Sequence, residues 1–191
     1  MRHRKFILSA IFSLIFTVSF ITQTFAASRD LPSYPIAKQE KDSWCWAAVS
    51  SSVLKFMASK NVYQCDFVKK VKSTSTCANV SATTTEAQSG MHSYGVSSNY
   101  YSGNLNVSQV QSQIDGGRPV YVSWKWNSPT AIDGHAVAIY GYSNTPTYTW
   151  YMNYLDPWDG VKTSMEYSKF NGGSGADRTW RWGLKDFWHY N

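Results

Sequence analysis

The chain has 191 residues, with 18 Lys+Arg against 12 Asp+Glu, 16% aromatic residues and only 16% charged ones. Nine tryptophans among so few charges exclude an intrinsically disordered chain, which lacks the apolar bulk needed to offset the entropy of ordering. The length fits one domain, at most two small ones sharing an interface, without heptads, long repeats or zinc-type cysteine pairs.

Residues 1–26 read as a secretory signal peptide. Arg2, His3, Arg4 and Lys5 form a basic start, and an uncharged apolar run extends from Phe6 to about Ile21. Thr24 and Ala26 then supply the small residues of a cleavage site. The competing reading is an uncleaved anchor; Ser9, Ser13, Thr17 and Ser19 dilute the run and favour cleavage. Removing the segment leaves fifteen basic residues against twelve acidic ones, a net charge of +3 instead of +6. The Lys69, Lys70 and Lys72 cluster then reads as a solvated helix face, so no nucleic-acid partner is expected. No second apolar span follows, so no stable membrane association is expected after cleavage, and the product is expected outside the cytoplasm, secreted or periplasmic.

Residues 27–38, with Pro32 and Pro35, read as an extended lead-in to a domain spanning 39–191. Its first part, about 39–117, is predicted helical. Trp46, Val49, Val53 and Met57 recur at helical spacing, with Asp42 or Ser43 as the N-cap. A second helix is predicted from about Gln64 to Val71. A Ser/Thr-rich loop over 73–85 follows, leading into a short helix that ends near Gly90. Asn106 caps a helix that carries Val107, Val110 and Ile114 and stops at Gly116–Gly117.

Beyond Pro119 the period becomes two. Strands are predicted at Val120–Trp126, His135–Tyr142, Thr147–Tyr154, Val161–Tyr167 and Arg178–Leu184. Turns at Asp133–Gly134, Asn144–Pro146, Asp156–Gly160 and Asn171–Gly175 separate them. A helical part of about 39–117 followed by an antiparallel β part of about 118–191 makes the fold α+β.

Three cysteines are an odd number for an exported chain. Cys65 and Cys77 close a short loop and form a candidate disulfide, which would contribute roughly 3 kcal/mol if unstrained. Cys45 is left over at a predicted helix start, where unpaired N–H groups and the positive end of the dipole suit a thiolate nucleophile. The bland alternative is a buried structural cysteine among tryptophans.

His135 follows a glycine turn at the head of an apolar strand, a place from which a ring projects into a cleft as general acid/base. A hydrogen-bonded core histidine is the alternative. Asp156 ends the next strand, and two adjacent antiparallel strands bring that end beside the start of the first. It thus becomes the group that orients the imidazole, unless it merely initiates the Asp156–Pro157 turn; Asn153 is the reserve. Gln39, six residues before Cys45, is the candidate oxyanion donor together with the Cys45 N–H, or else an exposed lead-in residue.

The ordered set Gln39, Cys45–Trp46, Gly134–His135 and Asp156–Pro157–Trp158 resembles the papain-like cysteine peptidases. It is most similar to short bacterial forms: staphopain-like secreted peptidases, effectors of plant pathogens and bacteriocin-leader peptidases. The resemblance implies a helical half packed on a β half. It also implies Cys45 as nucleophile, His135 as acid/base, Asp156 as orienting residue and Gln39 as oxyanion donor. Trp46 is the implied packing residue after the nucleophile, and Trp158 the shield of the His–Asp bond. Departures are Asp42–Ser43–Trp44 before the nucleophile in place of Cys–Gly–Ser/Ala, an Asp where Asn is usual, and a gap of only 90 residues from Cys45 to His135.

The resulting expectation is an exported cysteine endopeptidase acting on protein or peptide through a thioester. It is expected to be a monomer that uses no cofactor and no metal. Two alternatives stay open. One is acyl transfer or transglutamination by the same triad. The other is an inactive, aromatic-rich binding module that stacks sugars on Trp124–Lys125–Trp126 and Trp180–Arg181–Trp182.

Overall fold

A computed structural model describes residues 26–130 and 134–190. The predicted signal sequence up to residue 25 and Asp133 of the predicted 133–134 turn lie outside the described residues.

Among the described residues, five helices and seven strands follow one another in this order. β1 (Ser28–Asp30) precedes three helices, α1 (Cys45–Ala58), α2 (Gln64–Lys72) and α3 (Thr84–Ser93). β2 (Val96–Ser102) and α4 (Val107–Asp115) lead into β3 (Val120–Trp126), β4 (Gly134–Asn144), β5 (Trp150–Asp156) and β6 (Val161–Glu166). The short α5 (Tyr167–Phe170) and the long β7 (Arg178–His189) close the described chain. All seven strands join one antiparallel sheet in the order β2-β7-β3-β4-β5-β6, with β1 added to β4. The α+β assignment is correct.

Local chemistry accounts for the helix boundaries. Thr83 and Asn106 each build a capping box, with Glu86 and Gln109 bonding back to the cap N–H. α1 is buried on nearly all sides, from Trp46 and Ala47 to Val53 and Leu54. It packs on β4 while α2 and α3 pack against it, so it carries no polar stripe.

β4 is the axis of the sheet and is correspondingly apolar, with Ala136, Val137, Ala138 and Ile139 buried. Its first half pairs with β3 along one edge. Past Ile139 that edge passes to β1, whose Arg29 and Asp30 lie opposite Tyr142 and Gly141. A Cβ on Gly141 would meet the Asp30 carboxylate and, at 2.8 Å, the Arg29 carbonyl, so the close pairing of β1 requires glycine there. The lead-in is therefore woven into the sheet, and it buries Leu31 and Tyr34 in the core.

Candidate active site

Cys45 is the first residue of α1, and it is the free cysteine among the described residues, since Cys65 and Cys77 are joined in a disulfide. The N-cap is Trp44, and no side chain caps the helix; neither Asp42 nor Ser43 does so. The reason is the turn that precedes the helix. Trp44 N–H bonds to Lys41 O, and the Ser43 N–H goes to the Asn79 side chain, which sets residues 42 and 43 a step too early to cap. The Trp44 indole is buried and donates to Ala78 O at 2.9 Å, fixing the entry of the chain. The leading turn of α1 thus keeps N–H groups with no side-chain acceptor among the described residues, which suits a developing oxyanion.

His135 and Asp156 meet as the antiparallel pairing of β4 and β5 requires. The His135 Nε2 lies 2.7 Å from Asp156 Oδ1, and the Trp158 N–H donates to the same carboxylate oxygen at 3.0 Å. Burial alone would lower the pKa of His135. Its bond to Asp156 and its interaction with the Cys45 sulfur outweigh burial and raise it to about 9. Burial alone would raise Asp156, but the hydrogen bonds from His135 and Trp158 hold its carboxyl below the usual range. Asn153, the reserve, is engaged elsewhere, with Asp30 and Ser164.

Two aromatic rings frame the imidazole that sequence reasoning did not find. Trp126 stacks on His135 at 5.9 Å between centroids, and Trp124 lies at 6.2 Å. Both come from β3, the strand paired with β4, so only the register places them there. Trp158 touches Asp156 of the pair through its backbone N–H, while the residue as a whole is 57% exposed at the rim of a 200 Å³ pocket shared with Cys45, Trp126 and His135. Trp46 is buried and anchored by its indole N–H on Val80 O.

Gln39 is buried beside the turn that leads into Cys45. Its Nε2 donates to Lys41 O at 3.0 Å and Asp42 O at 2.7 Å, its own N–H goes to Pro157 O, and its Oε1 is buried without a partner among the described residues. It therefore ties the Cys45 turn to the Asp156–Trp158 turn. It becomes an oxyanion donor only by releasing or sharing one of the two carbonyls.

A cavity of about 390 Å³ opens along Cys45 and His135. One wall is the 81–86 segment, and the other comprises Tyr100, Ser123, Gly134, Arg181 and Trp182. The Cys65–Cys77 bridge ties the loop before the first wall to α2. Carbonyls just beyond it, those of Ala78 and Val80, receive the indoles of Trp44 and Trp46. Paired tryptophans do not form a sugar-stacking face here: Trp124 and Trp180 are buried, packed edge-on with Phe170. They fill the β core.

The family model described as "Papain-like cysteine protease AvrRpt2" matches residues 26–174. Among solved structures, a recombinant stem bromelain precursor is similar at 14% identity and a TM-score of 0.44, over 85% of this chain and 69% of that one. No curated protein matches the sequence.

Proposed function

The chain belongs to this papain-like cysteine protease family and is a cysteine peptidase, and from that premise we propose that it is an exported endopeptidase whose nucleophile is Cys45. The observation that carries the reading is the His135–Asp156 bond of 2.7 Å, made at the mouth of the cavity that Cys45 also lines.

The chemistry follows from the charges. With its pKa near 9, His135 is an imidazolium at neutral pH, flanked by the Asp156 carboxylate and the Cys45 sulfur. Cys45 Sγ, as thiolate, attacks the peptide carbonyl carbon; the C=O pair moves onto oxygen, where the Cys45 N–H receives it. His135 passes its proton to the amide nitrogen, the C–N bond breaks, and the amine leaves. The acyl group remains on sulfur as a thioester. Water then gives a proton to His135 and attacks the thioester carbon; the C–S bond breaks, releasing the acid and restoring the ion pair. Asp156 keeps the ring oriented through both halves. Trp124 and Trp126 exclude water from it, which strengthens the His–Asp interaction.

Export is supported by the basic and apolar order of residues 2–21 and by a disulfide that calls for an oxidising compartment. The test of the whole reading is hydrolysis of unfolded protein by the wild type and by Cys45→Ala. The variant is expected to lose turnover while keeping its fold. Retained turnover would remove Cys45 from the mechanism.

A further inference from the structure

Arg181 has no part in the mechanism above, yet it lines the same cavity as Cys45 and His135. The β3–β7 ladder pairs Ser123 with Trp182 and Trp124 with Trp180, so Arg181 is the extra residue of a β-bulge. A bulge breaks the in-out alternation and re-aims a side chain. Trp180 enters the core, whereas Arg181 lines the cavity shared by Cys45 and His135.

Two contacts fix the guanidinium there. It lies over the Trp182 indole, 4.2 Å from the ring centroid. A Cβ at Gly134 would come within 2.8 Å of its Nη2 and would also collide with the Trp124 carbonyl. Glycine at 134 therefore gives the fork its space, directly beside the residue that carries the imidazole.

Among the described residues no carboxylate lies within ion-pair distance of Arg181, and its Nε is buried without an acceptor. Glu86, the one carboxylate among the described residues that line this cavity, is taken by Lys72 at 2.7 Å and by the Thr83 N–H. Apart from His135, the remaining lining groups are apolar, backbone, thiol or neutral hydroxyls such as Thr83, Tyr100 and Ser123. A stacked, planar guanidinium with open edges is preorganised for bidentate bonding to a carboxylate.

We propose that Arg181 is a substrate-selecting residue that binds a carboxylate of the peptide, so that the enzyme prefers an acidic residue close to the bond it cleaves. This rests on reading the cavity as a peptidase cleft. The same chemistry is offered by an Asp or Glu side chain and by a C-terminal carboxylate, and the experiment separates them.

Quenched peptides carrying Asp, Glu, Asn, Gln or Lys at each of three positions on either side of the cleaved bond, ending as free acid or amide, are assayed with the wild type, Arg181→Gln and Arg181→Glu. At one position the wild type is expected to favour the acid over its amide isostere by about tenfold or more in kcat/KM. Arg181→Gln is expected to erase the ratio, and Arg181→Glu to turn it toward Lys. A preference that follows the free terminus and not a side chain assigns the carboxylate to the chain end.

Equal rates for acid and amide throughout in the wild type overturn the proposal, as does an acid preference that survives in Arg181→Gln. If a variant does not fold, the wild-type ratio decides. Binding of the same peptides to Cys45→Ala, followed by fluorescence anisotropy, reads the ratio without turnover. Selective binding without wild-type hydrolysis would reject the peptidase reading and retain Arg181.

Discussion

The His135 Nε2 and the Asp156 Oδ1 lie 2.7 Å apart across neighbouring antiparallel strands, twenty-one residues apart in the chain. Their meeting follows from register: Ala138 pairs with Leu155, so the head of β4 and the tail of β5 fall together. The pair turns a ring whose burial disfavours charge into one that carries it up to about pH 9.

The activity of the wild type is therefore expected to fall as pH rises through about 9, as His135 loses the proton that the proposed mechanism passes to the leaving amine. Asp156→Asn is expected to move this alkaline limb to lower pH and to cut kcat/KM on the order of 10²-fold. A pH profile of kcat/KM for both proteins checks this.

The same pair has a stability signature. His135 is raised from 6.5, so its contribution is complete below about pH 6.5 and is lost as pH climbs through about 9. Asp156 is depressed, so its contribution disappears only when pH falls through its lowered value. The Tm advantage of wild type over Asp156→Asn is expected to be present at pH 6 and to shrink by pH 10. A scan of Tm against pH measures it.

Gln39 holds two carbonyls, and the oxyanion role proposed for it requires releasing or sharing one of them. Gln39→Ala is expected to lower stability by about 1–2 kcal/mol from lost hydrogen bonds. It is also expected to lower kcat on the order of 10²-fold through the missing donor. Urea unfolding and steady-state kinetics on one preparation separate the two roles: a loss of stability with kcat unchanged would leave Gln39 only as a tie.

How much of this was legible in the sequence differs by residue. Cys45, His135 and Asp156 were readable because each sits at an element end with a local signal, a helix start, a glycine turn and a turn-forming Asp, whereas Gln39 lies in coil between β1 and α1 and was legible only through the family resemblance. The Asn106 cap was readable from such a local signal too. β2 was not, because Val96–Ser102 is rich in Ser, Asn and Tyr and buries its residues irregularly; its pairing with β7 comes from eighty or more residues away. The capping role given to Asp42 or Ser43 failed because the turn closed at Lys41 places them too early. Arg181 and the two tryptophans around His135 owe their positions to a bulge and to cross-strand register, which leave no local mark.

The lead-in is expected to be indispensable. Tyr34 is 2% exposed, stacks on Tyr140 and exchanges a hydrogen bond with Ser52, while β1 completes the edge of β4. Tyr34→Ala is expected to cost about 3–5 kcal/mol, and deletion of residues 27–34 to abolish cooperative unfolding. Thermal melts followed by near-UV circular dichroism test both.

The Cys65–Cys77 bridge anchors the loop that receives the Trp44 and Trp46 indoles. Replacing both cysteines by Ser is expected to cost about 3 kcal/mol. Guanidinium unfolding of the double variant measures it.

The central claim is that the sulfur of Cys45 carries the acyl group between bond cleavage and hydrolysis. Intact-protein and peptide-level mass spectrometry, on enzyme acid-quenched during turnover of a slow peptide ester, reads this directly. An adduct of the acyl mass on the peptide containing Cys45, absent from Cys45→Ala, is the predicted result. Hydrolysis at full rate with the adduct on another residue, or undiminished in Cys45→Ala, would contradict the mechanism.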